Sequence, residues 1–335
     1  MTQKEILQKT PLLNHKGHLN VAGYAKTMQF SYNRGEARSF PLKLKEWNFY
    51  QFVYQDYVLQ MTIGHVSYVA SITVTLLNIK TGSKEQASRM KWFYNPELDI
   101  NPENDSFNEF SDRDFYMSFR VTAKERILTF KGKDKIGKNI DVVLNIENDV
   151  ENEKMVIATP FKASRQFYLN YKENYYVANG HVIFGDVKVD FVNATGLLDW
   201  GRGIWPYSHE WFWGSVSAFI DDVPFGLNIG WGFGDLTKAT ENMYFYDKKA
   251  YKVGVMRVEK DVSNYMVPWH LHDDEGAIEL FFEPIYDNYT ENKLVVVNTH
   301  CHQVYGHFSG KIKTSDGEKT FSNILGFIEH AVNRW

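Results

Sequence analysis

The chain has 335 residues, of which 44% are hydrophobic and 23% are charged, and this balance excludes a disordered or low-complexity protein. The formal net charge is -4 and no cluster of Lys and Arg occurs, which argues against nucleic acid as a partner. No apolar stretch has the length of a signal peptide or a membrane span, and Cys301 is the only cysteine, so we expect a cytoplasmic protein without a disulfide or a transmembrane segment.

The first half of the chain is dominated by patterns that are typical of β-strands. Aromatic residues make up 16% of the sequence and there are only 9 Pro, a composition that suits pleated sheets. A helical turn or two is predicted over 21–28. Alternation from Val66 to Leu76 predicts a long, half-buried strand that ends at the turn Thr81-Gly82. The polar segment from Glu85 to Asp114 is predicted to be a long loop.

The second half repeats these patterns. Alternation over 115–121 in the first half recurs over 187–191 and 251–255 in the second. A polar run followed by Pro160 separates the two halves and predicts a domain boundary at about residue 160. Near the end, Asp316-Gly317 is a strong hairpin signal, and a short helix is predicted over 324–333. Many antiparallel strands with few helices predict an all-β sandwich or barrel.

One block of the second half combines aromatic side chains with reactive ones. The residues are Asp199, Trp200, Arg202, Trp205, Tyr207, His209, Trp211, Trp213, Trp231, Asp235, Glu241 and Asn242. If the segment is extended, His209, Trp211 and Trp213 share one face and could form the wall of a pocket. Two simpler interpretations stay open. Strand aromatics often only fill a barrel interior, and Asp199 with Arg202 could form a buried ion pair or bind the neighbouring glycine backbone.

Several stretches of the sequence resemble one bacterial family. They are PLLNHKGHLNVAGYA, LKEWNFYQF, GLLDWGRGIWPYSHEWFWGS, PFGLNIGWGFGD, ATENMYFYD, HQVYGHFSG and LGFIEHAVNRW. Nearly from end to end, the chain resembles the family called domain of unknown function 2804, which is distantly similar to a group of carotenoid 1,2-hydratase, tocopherol cyclase and AttH-like proteins. The resemblance implies two lipocalin-like antiparallel β-barrel halves in tandem, residues 1–160 and 161–335, with a pocket at their interface.

The resemblance also implies a kind of site. A hydratase or cyclase of this group needs a carboxylic acid that stays neutral in a dry pocket and protonates an alkene, beside aromatic faces that stabilise the cation. In the carotenoid hydratase the acid is an Asp downstream of a His-x-Trp pair. The predicted catalytic residues here are accordingly Asp235, His209, Asp199 and Arg202, with Asp199 as the rival acid. The predicted substrate-binding residues are Trp200, Trp205, Tyr207, Trp211, Trp213, Trp231, Glu241, Asn242, His302 and Gln303.

Metal and nucleotide sites are not predicted. The His-x-His pairs at 270–272 and 300–302 could chelate a metal, but hydrogen-bonded or solvated histidines are the favoured interpretation. The glycines at 230–234 alternate as in a strand and lack the helix of a phosphate loop, and no Gly-x-Ser-x-Gly nucleophile motif occurs. We therefore expect no cofactor and a small-molecule ligand, and the oligomeric state stays open.

Three functions compete on this basis. The first is a hydratase, cyclase or isomerase acting on a hydrophobic molecule such as an isoprenoid, acyl or polyketide-like chain. The second is a carbohydrate-active enzyme in which Asp199 pairs with Asp235 or Glu241 beside Trp platforms. The third is a carrier that binds a hydrophobic ligand without changing it. Two acids facing each other across an open groove would favour sugar chemistry, and one acid in a closed apolar pocket would favour alkene chemistry.

Overall fold

A computed structural model describes residues 3–37, 42–260, 263–294 and 297–335. Regular structure in these ranges is almost entirely β, and the only helix found there is a 3-10 turn, η1, at Arg34–Glu36. None of the described segments forms a helix with the length and apolarity needed to cross a bilayer.

The first part of the chain forms fourteen strands. They are β1 (Thr10–Pro11), β2 (Gly23–Ala25), β3 (Phe30–Ser31), β4 (Leu44–Tyr54), β5 (Tyr57–His65), β6 (Val69–Asn78), β7 (Ser83–Trp92), β8 (Ser106–Asp112), β9 (Phe115–Val121), β10 (Glu125–Lys133), β11 (Asn139–Glu147), β12 (Met155–Pro160), β13 (Phe167–Phe184) and β14 (Val187–Ile204).

The remainder forms nine strands. They are β15 (Ser208–Ile220), β16 (Val223–Trp231), β17 (Met243–Tyr246), β18 (Lys249–Lys252), β19 (Met256–Glu259), β20 (Trp269–Asp273), β21 (Ile278–Leu294), β22 (Val297–Thr314) and β23 (Gly317–Arg334).

Two large antiparallel sheets account for nearly all of these strands. The twelve-stranded sheet runs β7-β6-β5-β4-β14-β13-β11-β10-β9-β8, with β12 and β2 branching from β13, and the nine-stranded sheet runs β18-β17-β16-β15-β23-β22-β21-β20-β19. In each sheet the first long strand in chain order pairs with the last strand in chain order, β4 with β14 and β15 with β23. Both sheets curl, so the predicted all-β fold of two antiparallel barrel halves in tandem is confirmed.

The strand and hairpin predictions agree with the structure where alternation was strong. β6 buries Ala70, Ile72 and Val74 on one face, and β22 turns into β23 at Ser315-Asp316. The predicted loop from Glu85 to Asp114 is wrong, because β7 and β8 lie in this segment. These strands form the two ends of the twelve-stranded order, where polar side chains are common because one side of the strand lacks a sheet neighbour.

The helix predictions are also wrong. Residues 324–333 lie in β23, and β2 occupies the middle of 21–28. In β23, Ile324, Phe327, Ile328 and Ala331 have helical spacing, but the strand has partners on both sides and carries apolar residues on both faces. Apolar residues on both faces of a strand mimic the period of a helix.

The chain passes from the first sheet to the second between Ile204 and Ser208. The long strands β13 and β14 hydrogen-bond within the first sheet, although they follow residue 160. The domain boundary at residue 160 stays a prediction about the folding units.

The two sheets pack against each other along a mixed interface. Trp213 and Phe327 of the second sheet share an apolar cluster with Val58 and Leu197 of the first. Asn174 of β13 donates to Ser215 Oγ at 2.6 Å and to the Leu227 carbonyl at 2.9 Å. A Cβ at Gly226 would lie 2.3 Å from the Asn174 carbonyl oxygen, so glycine is required for this close approach.

Arg202 fastens β14 to β4 inside the first sheet. Its side chain is fully buried, and its Nη atoms donate to the Trp47 carbonyl at 2.7 Å and to Asn48 Oδ1 at 2.8 Å. The carboxylates of Glu46 and Asp99 lie 3.8 and 3.5 Å from the guanidinium. Because these interactions compensate a charge that has left water, Arg202 holds the strands in place.

We expect Arg202→Met to lower the free energy of unfolding by about 3–5 kcal/mol, because it leaves buried acidic groups without their cation. Urea denaturation of the purified variant measures this loss. Arg120→Met, at an exposed position on β9, is the matched control and should change stability little. Equal stability of the two variants would contradict this role of Arg202.

Candidate active site

A cavity of about 570 Å³ lies between the two sheets. Its walls come from β4, β5, β6, β13 and β14 on one side and from β15, β21, β22 and β23 on the other. This volume falls within the range of pockets that hold small molecules.

Aromatic rings form one wall of the cavity. Trp47 and Trp205 meet edge to face with centroids 5.4 Å apart, and Trp211 meets Phe233 in the same way at 5.6 Å. Gly201 pairs with Trp47 across the strands, and a Cβ there would lie 2.1 Å from the indole. The glycine therefore lets the Trp47 ring cross β14.

His209 supports this wall and does not line the cavity itself. Its Nε2 accepts from Trp205 Nε1 at 3.2 Å, and its Nδ1 lies 2.9 Å from the Pro206 carbonyl oxygen. Burial lowers the pKa of His209 to about 4, so the ring is neutral at pH 7 and Nδ1 carries the proton that it donates to Pro206. The imidazole thus fixes the orientation of the Trp205 indole.

The ammonium of Lys172 lies close to two carboxylates at the cavity surface. Its ammonium lies 3.3 Å from Glu241 Oε2 and 3.9 Å from Asp199 Oδ1, and 3.8 Å from the ring centroid of Trp213. Asp199 also accepts from Trp47 Nε1 at 2.9 Å and from Asn170 Nδ2 at 2.6 Å. Both carboxylates are therefore compensated by a cation, and their positions are fixed.

Among the described acids that line the cavity, Glu329 is the one with no cation in direct contact. Its carboxyl accepts from Trp211 Nε1 at 2.8 Å and from Gln303 Nε2 at 3.3 Å, and the surface it exposes faces the cavity. Burial raises the pKa of Glu329, and the negative charge of Asp199 adds to this effect, against the hydrogen bond from Trp211 and the charge of Lys172. Glu329 therefore keeps its proton to a higher pH than an ordinary glutamate.

Glu46 lines the same cavity, but the pKa of its carboxyl is lowered. Burial works to raise its pKa, but hydrogen bonds from His65 and Arg34 and the charge of Arg202 lower that pKa to about 2. Tyr32 adds a further hydrogen bond at 2.7 Å. Glu46 is a carboxylate at all ordinary pH values, so the cavity holds carboxyl groups whose pKa values are shifted in opposite directions.

The structure brings some of the predicted site residues to the cavity and leaves others out. Those that line it are Asp199, Trp205, Trp211, Trp213, Glu241 and Gln303. Those outside it are Trp200, Arg202, Tyr207, His209, Trp231, Asp235, Asn242 and His302.

Asp235 is exposed in the connection between β16 and β17. It accepts from the Thr237 amide at 2.9 Å, and this hydrogen bond lowers the pKa of its carboxyl. An acid catalyst must keep its proton and meet the substrate in the pocket. The geometry therefore favours another carboxyl over Asp235.

The other residues outside the cavity have structural contacts. Trp200 donates to Asp99 at 2.8 Å, and Trp231 stacks on Phe212 with centroids 5.0 Å apart. His302 lies 2.6 Å from Asp287, while Asn242 accepts from the Gly230 amide at 2.9 Å. Tyr207 is exposed and lines a separate, smaller cavity.

Sequence reasoning missed Lys172, Glu329, Trp47 and Tyr168, all of which line the cavity. Glu329 lies in the segment that was predicted to be helical. In a strand, Glu329, Ala331 and Asn333 share a face, and these three residues line the cavity together. Alternation of every second residue over 327–333 was the sequence pattern that could have predicted a strand with Glu329 on this face.

A group of possible metal ligands lies elsewhere. Among the described residues, Glu259, His270 and His272 have ligand atoms within 4.8 Å of one another. They belong to β19 and β20 and do not line the cavity. His270 also lies 3.3 Å from Glu279, so its ring has a hydrogen-bonding partner.

The family described as domain of unknown function (DUF2804) matches residues 3–335. The chain belongs to this family. No curated protein matches it.

Among solved structures, CghA is similar with a TM-score of 0.52 and 8% identity over 98% of this chain and 97% of that one. Kievitone hydratase from Nectria haematococca has a TM-score of 0.49 and 9% identity over 91% and 92% of the two chains. The AttH-like protein from Nitrosomonas europaea has a TM-score of 0.48 and 12% identity over 89% and 98%. At 8% identity, the likeness to CghA shows a shared fold.

The pKa of Glu329 predicts a pH-dependent stability difference between the protein and Glu329→Gln. The unfolded chain loses this proton near the ordinary pKa of 4.5, while the folded protein keeps it to higher pH. The folded state thus holds more protons above that pH, and stability relative to the variant falls as pH rises, with a limiting slope of about 1.4 kcal/mol per pH unit.

Urea denaturation of both proteins between about pH 5 and 8 measures this difference. The matched control is Glu109→Gln at an exposed position on β8, which should run parallel to the unmodified protein. A constant difference between the protein and Glu329→Gln across this range would show that Glu329 has an ordinary pKa.

Proposed function

We propose that this protein is an enzyme that protonates a carbon-carbon double bond of an apolar small molecule, as a hydratase, cyclase or isomerase does. The observation that carries the proposal is Glu329. It is a carboxyl with a raised pKa, and it opens into a cavity between aromatic walls. Carboxyls with a raised pKa that face a cavity are common at functional sites, since enzymes shift the pKa values of their acids by burial.

Glu329 would act as the general acid. Its proton passes to one alkene carbon, the π pair forms the new C–H bond, and positive charge develops on the other carbon. Trp211 lines the cavity next to Glu329, and an indole face stabilises a cation. The Glu329 carboxylate that results retains the hydrogen bonds from Trp211 and Gln303, which favour its charged form.

The fate of the cation decides the type of reaction. Addition of water with loss of its proton gives an alcohol, attack by an internal double bond or hydroxyl gives a ring, and loss of a proton from a neighbouring carbon gives an isomer. Asp199 and Glu241 are the remaining acids beside Lys172, and either could take the released proton. The proton balance is closed when Glu329 is reprotonated from solvent.

Sugar chemistry has less support from the geometry. Asp235 is exposed outside the cavity, so it cannot pair with Asp199 across a substrate. Asp199 and Glu241 are both held by the ammonium of Lys172 rather than standing on opposite sides of an open groove. A carrier function uses the same cavity without the proton transfer, and the experiment below separates it from catalysis.

The test is an incubation of the protein in D2O with a metabolite extract of its host, followed by mass spectrometry. We expect the protein to consume a compound and to form either an isomer with one carbon-bound deuterium or a product heavier by D2O. Glu329→Gln should lower the rate by about 100-fold or more, because the amide has no acidic proton to give. Unchanged turnover in Glu329→Gln would refute the assignment of the acid.

Two further variants complete the design. Asp235→Asn tests the acid that the sequence resemblance implies, and we expect it to retain turnover since Asp235 lies outside the cavity. Glu109→Gln controls for loss of a surface glutamate. A compound that binds the protein but gains no deuterium and no change in structure would favour the carrier function.

A further inference from the structure

A second cavity of about 380 Å³ adjoins the first. It shares Tyr68, Trp205 and Trp335 with the first cavity, and Lys45 and Tyr207 are among its other lining residues. The shared rings place the second cavity at one end of the aromatic wall. Lys45 lines the second cavity beside the rings of Trp205 and Trp335.

Lys45 is a buried cation without an acidic partner. Lys45 lies on β4 and is only 2% exposed. Its ammonium donates to the Lys43 carbonyl at 3.3 Å. The ammonium also lies 5.0 Å from the Trp205 ring and 5.5 Å from the Trp335 ring. No carboxylate of the described residues forms an ion pair with it, whereas Lys172 in the first cavity has two. Buried lysines are normally paired, so an unpaired one requires an explanation.

Trp335 is the second unsatisfied group at the same place. Its indole Nε1 is buried and has no hydrogen-bond acceptor within the part of the chain that the structure describes. The ring lines both cavities and contacts Trp205 at a centroid distance of 6.2 Å. An indole N–H can only donate, so Trp335 lacks an acceptor, and Lys45 has a carbonyl acceptor but lacks an anionic partner.

We propose that Lys45 and Trp335 form a subsite that binds the carboxylate of an otherwise apolar ligand, at the junction of the two cavities. A carboxylate supplies an opposite charge for the ammonium and an acceptor for the indole N–H. The inference rests on the proposed function, because it identifies the substrate of the same site as an apolar or aromatic acid with its double bond near Glu329.

Electrostatics agree with this subsite. Burial lowers the pKa of Lys45 to about 8, with a further contribution from Lys43, so the ammonium is charged at pH 7. His209 and Tyr168 are further titratable groups that contact the Trp205 ring, and both are neutral at that pH because burial lowers the pKa of His209 and raises the pKa of Tyr168. No described carboxylate contributes to the pKa shift of Lys45.

The experiment compares 2-naphthoate with 2-naphthamide in fluorescence titrations at pH 7, because the two probes share a shape and differ in charge. We expect naphthoate to bind about tenfold or more tightly than naphthamide. Lys45→Met should abolish this preference by weakening naphthoate alone, and Trp335→Phe should weaken both probes. Lys131→Met, at an exposed position on β10, is the matched control and should leave the preference intact.

Thermal unfolding distinguishes a ligand-binding lysine from a structural one. Because Met replaces an unpaired buried charge by an apolar chain of similar length, Lys45→Met should unfold at the same temperature as the unmodified protein or at a higher one. Equal binding of the two probes, no binding of naphthoate, or an unchanged preference in Lys45→Met would overturn the subsite. These titrations need no turnover, so their outcome is independent of whether Glu329 is the acid.

Discussion

In each sheet the first long strand in chain order pairs with the last, and the rest of the structure depends on this constraint. β4 hydrogen-bonds to β14, and β15 hydrogen-bonds to β23. These four strands carry Trp47, Asp199, Trp213 and Glu329, all of which line the cavity between the sheets. The site therefore forms only when two long-range pairings are complete, since residues more than a hundred positions apart meet there.

The ionisable groups that line the cavity differ in the partners that surround each of them, and their pKa values differ accordingly. Glu46 has hydrogen bonds from Tyr32, Arg34 and His65 and a lowered pKa, whereas Glu329 has only neutral donors in contact and a raised pKa. Lys172 compensates the acids next to it. Carboxyl groups whose pKa values are moved in opposite directions by their surroundings are typical of sites of acid-base catalysis.

The sequence predicted the architecture better than the site, for physical reasons. Alternation such as that of β6 is a local signal, and the aromatic block at Trp205 to Trp213 is contiguous, so both were visible. The position of Glu329 was not predicted, because β23 has partner strands on both sides and carries apolar residues on both faces, which imitates the period of a helix. Lys172 and Trp47 reach the cavity through pairings of distant strands, which leave no local pattern. Asp235 was predicted from a resemblance to the carotenoid hydratase, but its loop turns the side chain to solvent.

The central proposal is that Glu329 is the general acid, which requires its carboxyl to be protonated at the pH of the reaction. The most direct measurement is the infrared difference spectrum between the protein and Glu329→Gln at pH 7, in the region where a protonated carboxyl absorbs. A carbonyl band of a protonated carboxyl that is present in the protein and absent from the variant is the predicted result. A difference spectrum with carboxylate bands alone would show that Glu329 is ionised and would contradict the account.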